Sequence, residues 1–346
     1  MVSVPRAMEP NAEDLVAVPP ALASMRRYAL DGALLLFDRD TGLTAVCDGP
    51  ETEHLRMRAP RVVQFAITNA CNLACTFCSR DLEARSAWTA DAAFEFLREM
   101  DRAGTLEVAF GGGEPLAFRG FVDLVKRLAL ETRLAVSLTT NGTRLSDDTA
   151  RELATHAGQV RVSVYDDVDF KGPIAALVSA RARFGINYLV TPSRLASIES
   201  RVLEFSARGC RDVLLLAYNG ADRAMHLTRE QSDDLAARIA VLSRALRGRV
   251  QLKLDVCWGE RMEAVPRLFE SRGCPAGREF IVVTSDRRLS PCSFHHLSFP
   301  IEGAAHALDL WARQREALAT AARDPGCARA ENYGLSISKT ALPLVS

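Results

Sequence analysis

The sequence predicts an α/β protein: a partial (β/α)6 TIM-like barrel, with a short N-terminal hairpin before it and a small cysteine-rich domain after it. Three observations predict this. From about residue 61, short apolar runs alternate with helical stretches, as in a parallel sheet with crossover helices. The alternation yields six units, too few for a closed eight-stranded barrel. Beyond residue 250 the alternation stops, and four of the nine cysteines follow.

The elements are predicted in this order. Residues 1–20, rich in Pro, Ala and acidic residues without a period, read as a mobile leader. Residues 32–48 read as a hairpin, because Asp38–Gly42 carries the Asp and Gly chemistry of a turn. Barrel strands are expected at 62–68, 106–110, 134–139, 160–165, 186–190 and 212–217, as apolar runs buried on both faces. Helices are expected between them at 90–103, 121–131, 146–156, 174–184 and 198–208. A long helix (229–246) and a strand (250–256) follow, then a hairpin (280–292) and a helix (304–322). The expected divisions are a leader and hairpin (1–60), the partial barrel (61–250), the cysteine-rich domain (251–330) and a tail (331–346).

Charge is balanced, with 43 Lys and Arg against 43 Asp and Glu. No basic face for a polyanion is implied, so nucleic acid is not an expected partner. Hydrophobic residues make up 48% and charged residues 25%, which excludes a mainly disordered chain. No apolar run approaches the roughly 20 residues of a membrane helix, and no signal-peptide pattern is present. No membrane association and a cytoplasmic location are expected. Thiols stay reduced there, so an odd number of cysteines points to metal ligation rather than a disulfide framework.

The strongest local signal is Cys71-Asn-Leu-Ala-Cys75-Thr-Phe-Cys78, directly after the first barrel strand. Active sites of α/β sheets and barrels lie at that end of the strands. Three thiolates on one tight loop suit three corners of an iron–sulfur cube and leave one iron open. Zinc with a distant fourth ligand is the alternative, although structural zinc favours paired knuckles and a closed shell. Further motifs end the next three strands: Ala109-Phe-Gly-Gly-Gly-Glu-Pro115, Thr139-Thr-Asn-Gly142 and Val162-Ser-Val-Tyr-Asp166.

In this order, over roughly residues 61–220, the chain resembles the radical S-adenosylmethionine (radical SAM) superfamily. The resemblance implies a [4Fe–4S] cluster on Cys71, Cys75 and Cys78, whose open iron chelates S-adenosylmethionine. Gly112, Gly113 and Glu114 would meet the methionine amino group, Phe77 the adenine, Ser163 the carboxylate and Asp166 the ribose. Asn141 is counted with these cofactor-binding residues. Tyr165 departs from the family's polar pair two residues apart. The plainer readings are turn glycines, loop packing for Phe77 and a solvated loop acid at Asp166. The implied chemistry is reductive cleavage to a 5′-deoxyadenosyl radical, which abstracts hydrogen from a substrate. The electron would come from a flavodoxin- or ferredoxin-type donor.

The tail resembles the SPASM and twitch extensions of the same superfamily, in Cys274-Pro-Ala-Gly277, Ser290-Pro-Cys292, Leu310-Trp311 and Gly326-Cys327. A full SPASM domain carries more cysteines than this. Cys257, Cys274, Cys292 and Cys327 would complete one auxiliary [4Fe–4S] cluster with no open iron. Its expected role is electron transfer or structure. Zinc is the alternative, as is a ligand from His295 or His296 with Cys327 left out. Cys210 and Cys47 read as packing thiols. Cys210 precedes a strand, on the face away from the site, which argues against a hydrogen-donor role. Tyr165, Tyr218, Asn219 and Asp255 fall at far strand ends and are the candidate substrate contacts.

Three functions compete on this reading. The preferred one is modification of a ribosomally made peptide. The hairpin resembles the start of a precursor-recognition domain, but the stretch between Cys47 and Arg61 is too short for the three helices a complete one needs, so a separate recognition protein would serve as partner. The second is a small-molecule dehydrogenase or epimerase acting on a sugar, an aminocyclitol or another natural-product precursor. The third is a non-catalytic iron–sulfur or zinc protein.

Overall fold

The computed structural model of the chain describes residues 11–78, 80, 84–220, 222–258, 274–295 and 297–321. Strands β1 (Arg26–Ala29), β2 (Ala33–Phe37) and β3 (Thr44–Asp48) form an antiparallel sheet. The predicted hairpin is β2 and β3. β1 has two arginines in four residues and so offers no apolar run to read. Residues 11–20 do not form a mobile leader. Val16 is buried in a small core with Leu34, Leu36 and Leu55, and Arg27 donates to the carbonyls of Glu13 (2.9 Å) and Val16 (2.6 Å). Residues 1–10 lie outside the described residues.

Strand–helix alternation then runs as predicted. The order is β4 (Val62–Thr68), α1 (Ala90–Ala103), β5 (Glu107–Gly112), α2 (Phe121–Glu131), β6 (Ala135–Thr140), α3 (Asp147–His156), β7 (Gln159–Ser163) and α4 (Lys171–Ser179). It continues with β8 (Phe184–Val190), α5 (Pro192–Leu195), α6 (Ile198–Ala207), β9 (Asp212–Ala217), α7 (Arg229–Ala245) and β10 (Gln251–Leu254). Thr89 and Ser146 cap α1 and α3 by accepting backbone N–H bonds, and Thr228 with Gln231 forms a capping box on α7. α4 stops earlier than its helix-forming sequence predicts: Arg181 takes φ 55°, and the chain turns into β8.

β11 (Phe280–Val283), β12 (Arg288–Ser290), β13 (Phe299–Pro300) and α8 (Ala304–Ala321) follow. One ten-stranded sheet runs β10-β9-β8-β7-β6-β5-β4-β11-β12-β13. β10 through β11 are parallel, so eight strands, not six, make the parallel array. β11 was legible only as half of a hairpin. Its parallel partner, β4, lies on the far side of the whole barrel in sequence.

The strands are not buried on both faces as expected. In β4 to β7 burial alternates: Val63, Phe65 and Ile67 are buried, while Gln64 and Ala66 are half-buried. β8 alone among the barrel strands is buried along its full length. One face of this sheet packs under helices, and the other lines a polar lumen. At the lumen's lower end Asp212 pairs with Arg161 (3.0 Å) and Lys253 (2.5 Å). Burial alone would raise the Asp212 carboxyl, but these two cations hold it below its ordinary value.

The C-terminal elements are fastened to the barrel. α8 lies against α1, and the Trp311 indole donates to the Gly277 carbonyl at 2.9 Å. The β11–β12 turn bonds the segment that follows the cysteine loop. Ala87 N–H reaches Ser285 O at 2.7 Å, and the Trp88 indole reaches Thr284 O at 2.9 Å.

Candidate active site

A cavity of about 310 Å³ opens at the C-terminal ends of the parallel strands, where α/β folds place their chemistry. Cys71, Cys75 and Cys78 all line it. So do Phe77, Gly112, Gly113, Glu114, Asn141, Ser163, Tyr165, Tyr218, Asn219 and Asp255. The topology thus gathers residues spread over 185 positions' worth of sequence, Cys71 to Asp255, into one space.

The β4–β6 wall is interlocked. Gly113 N–H donates to Thr68 O at 2.7 Å, and Glu114 N–H to Ala70 O at 2.8 Å. A Cβ on Gly113 would lie 2.0 Å from Ala70 O; one on Gly112, which has φ +103°, would lie 2.6 Å from Thr68 O. These two positions need glycine because the cysteine loop crosses directly over them. With those N–H groups used by the loop, this stretch has carbonyl oxygen to offer a ligand.

Glu114 is buried, and both oxygens of its carboxylate accept hydrogen bonds within the protein. Oε1 accepts from the Thr140 hydroxyl (2.8 Å) and Leu116 N–H (2.9 Å), and Oε2 from Asn141 N–H (2.7 Å). Asn141 in turn donates from Nδ2 to Asn72 Oδ1 (3.0 Å) and lies 3.9 Å from Cys71 Sγ. Glu114 and Asn141 therefore brace the cysteine loop from beneath. Neither role was legible from sequence, where both residues read as direct ligand contacts.

On the loop, Cys78 N–H closes a turn onto Cys75 O at 3.1 Å. Burial, then the neighbouring Cys78 and Cys71, push the Cys75 thiol up. Among the described residues no three His, Cys, Asp or Glu side chains converge on one metal position. Thiolates sharing a loop repel one another until a cation offsets them, so the donor set suits a metal cluster. Phe77 and Tyr165 stack at 5.5 Å between ring centroids, tilted by 37°. Burial pushes the Tyr165 hydroxyl up to about 12, against the pull of its Ser163 hydrogen bond.

Asp166 does not join this site. Its carboxylate is about half exposed and pairs with Arg194 (2.7 Å) and Arg201 (3.5 Å). The structure corrects its predicted place against the ribose: two guanidiniums turn it outward. Tyr218 reaches the cavity, but its hydroxyl faces its own loop, accepting from Asp222 N–H at 3.4 Å. The His226 ring packs on the Tyr218 ring at 4.8 Å.

Several lining residues escaped sequence analysis, among them Arg80, Asn187 and Phe294. Asn187 sits inside the apolar run of β8 and reads there as core. Its residue type was the available signal, since asparagine is depleted in strands. Arg161 Nε donates to its Oδ1 at 2.5 Å.

The auxiliary residues are placed in part. Cys257 follows β10, Cys274 precedes β11 and Cys292 follows β12. Cys327 and His296 lie outside the described residues. The His295 ring accepts Leu297 N–H at Nδ1, 2.9 Å away. Cys210 is buried, donates to Asp212 O at 3.2 Å, and is pushed up to about 11 by burial.

An open parallel barrel with a three-cysteine loop at its rim defines the class, and residues 65–165 match the family model described as the Radical SAM superfamily. That segment, holding β4 to β7 and the cysteine loop, is where the chain is similar to the superfamily. A GTP 3′,8-cyclase from Parasynechococcus marenigrum is 34% identical over 137 residues, 36% of this chain and 39% of that protein. A PqqA peptide cyclase from Granulibacter bethesdensis is 32% identical over 123 residues, 34% of this chain and 32% of that protein. The chain thus spans well under half the length of these curated relatives. In fold it is similar to Streptococcus suis SuiB bound to precursor peptide SuiA, with TM-score 0.63 and 18% identity over 74% of this chain and 65% of that one. No helix among the described residues is long and apolar enough to cross a membrane.

Proposed function

We propose that this protein is a radical SAM enzyme that modifies a ribosomally synthesised peptide. One observation carries the radical chemistry: three loop thiols share a cavity wall with the glycines over which that loop passes. When bound there, the iron–sulfur cluster and S-adenosylmethionine would supply a 5′-deoxyadenosyl radical by one-electron cleavage. Cys71, Cys75 and Cys78 would hold the cluster, and the Gly112–Gly113 backbone would receive the amino group through carbonyl oxygen. Phe77 and Tyr165 form an apolar shelf suited to the adenine, and Ser163 lies beside it. Glu114 and Asn141 keep the loop in place by hydrogen bonds that no ligand need make.

The peptide reading is supported by the fold of the SuiA-bound neighbour and by the PqqA peptide cyclase relative. The GTP cyclase relative supports a small-molecule substrate instead, and both matches rest on the shared barrel. A flavodoxin- or ferredoxin-type donor and a separate peptide-recognition protein complete the proposal. So does one auxiliary [4Fe–4S] cluster on Cys257, Cys274, Cys292 and Cys327, in the cytoplasm. The test is anaerobic reconstitution with iron and sulfide, reduction with dithionite, and chromatography for 5′-deoxyadenosine. Its release by the wild type and loss in Cys75→Ala is expected. Release by neither sample refutes the radical reading. Deuterium transfer from a labelled precursor peptide into 5′-deoxyadenosine then decides between a peptide and a small molecule.

A further inference from the structure

Arg80, two residues beyond the last cysteine of the loop, is the one cation among the described residues that line the cavity. It is anchored from one side. Its Nη1 donates to the carbonyl of Asn69, just past the end of β4. Asn69 is itself fixed: its N–H donates to Ser86 Oγ at 2.8 Å, and its Nδ2 to Ala84 O at 2.7 Å. With Nη1 held there, the opposite edge of the guanidinium, Nε and Nη2, remains. Nε is buried and has no hydrogen-bond partner. Among the described residues Arg80 enters no ion pair. A buried donor without an acceptor is costly, and more so on a charged group.

The two carboxylates that line the same cavity are engaged elsewhere. Both Glu114 oxygens accept hydrogen bonds beneath the loop, and Asp255 Oδ2 accepts Ala217 N–H at 3.3 Å on the β9 side. The Nε–Nη2 edge of an arginine is a planar fork of two donors that matches the two oxygens of a carboxylate. One guanidinium balances one negative charge, whereas a triphosphate recruits several cations. The described lining supplies one. Leu73, Phe77, Leu189 and Leu216 line the cavity as well, and an apolar lining strengthens a charge pair formed inside it.

We propose that Arg80 receives a carboxylate of the substrate on its Nε–Nη2 edge, an aspartate or glutamate side chain or the C-terminus of a peptide. This rests on the proposed peptide reading and specifies it. On that reading the carboxylate of S-adenosylmethionine goes to the open iron and Ser163, so the carboxylate at Arg80 comes from the substrate. The Asn69 anchor sets the fork in advance, and the substrate enters beside the cysteine loop.

The test uses the full chain, anaerobically reconstituted and loaded with S-adenosylmethionine. Ligand-observed NMR titrations compare N-acetyl, N-methylamide derivatives of glutamate, glutamine and lysine, together with GTP. Glutamate and glutamine have the same shape and differ in charge. The glutamate derivative is expected to bind roughly tenfold more tightly than the others, the scale of a charge-assisted hydrogen bond. Arg80→Gln should abolish that preference, and Arg80→Lys, which keeps the charge without the fork, should remove part of it. Thermal midpoints show that both variants fold. Equilibrium dialysis of S-adenosylmethionine and iron content, compared between wild type and Arg80→Gln, separate the other uses of the cation. Both are expected to agree within about twofold, since neither the cofactor nor the cluster needs Arg80 on this account. Equal binding of glutamate and glutamine, no binding, a preference for lysine or GTP, or a preference unchanged in Arg80→Gln overturns the proposal. So does a loss of S-adenosylmethionine affinity or of iron in Arg80→Gln, which would give Arg80 to the cofactor's carboxylate or to the cluster. Release of 5′-deoxyadenosine from the same reduced wild-type sample reports separately on the radical reading. A sample that releases it without a glutamate preference defeats the Arg80 proposal alone.

Discussion

The two walls of the cavity are built differently. On the β4–β6 side nearly every polar group is used by the protein: Glu114 has three donors, and Gly113 and Glu114 spend their N–H groups on the cysteine loop. On the β8–β10 side, Asn219 retains an unpartnered oxygen. The first wall has the rigidity needed to hold a fixed group in one geometry. The second has unused bonding capacity, as a surface that meets a changing partner requires. A rigid wall suits a group held in one place, and a wall with spare acceptors suits recognition.

Breaking the first wall should cost the most. Gly113→Ala drives a Cβ into backbone 2.0 Å away, so the loop must move. A loss of about 3 kcal/mol is expected, the upper range of overpacking. Gly111→Ala, with no atom within 4 Å of its added Cβ, should stay within about 0.5 kcal/mol, as an unobstructed substitution does. Urea unfolding of the pair measures both. Equal stability would mean that the loop is not seated on the glycines.

Glu114→Gln is the next largest. Gln keeps one oxygen for Thr140 and Leu116, but presents an amide N–H₂ to Asn141 N–H, donor against donor. About 2 kcal/mol should be lost, the worth of a buried hydrogen bond to charge. The Cys71 side of the loop should loosen, seen as faster thiol labelling of the metal-free protein. Unchanged labelling would separate Glu114 from the loop.

The smallest effect belongs beneath the second wall. Asp212 has its folded pKa depressed by Arg161 and Lys253. Its contribution is present above the ordinary carboxylate range, and is lost as pH falls through the unfolded and then the folded value. Asp212→Asn should therefore be less stable than wild type at pH 7, with the gap closing below about pH 4. Urea midpoints across that range would show it. A gap independent of pH would mean that packing, not charge, holds the lumen.

The cysteine loop and the strand-end motifs were legible because each is local: a few residues at fixed spacing after an apolar run. The alternating units were legible for the same reason. What stayed hidden depends on pairing at a distance. β11 joins β4 by a register no local pattern encodes. Asn187 is a lumen residue only because β8 turns that face inward, and Glu114 became a brace only once β6 lay beside β5. Asp166 misled for the converse reason. Its place after β7 fitted the family pattern, while Arg194 and Arg201, which turn it away, come from the α5–α6 segment.

On the proposed function, the interlocked wall holds an iron–sulfur cluster. Iron and sulfide content with EPR, on reconstituted wild type and a Cys71/Cys75/Cys78→Ala variant, measures whether it does. About eight irons in the wild type and about four in the variant are expected, one cluster lost and the auxiliary one kept. Equal iron in the two proteins would contradict the claim, because the cluster would then not be held by the loop.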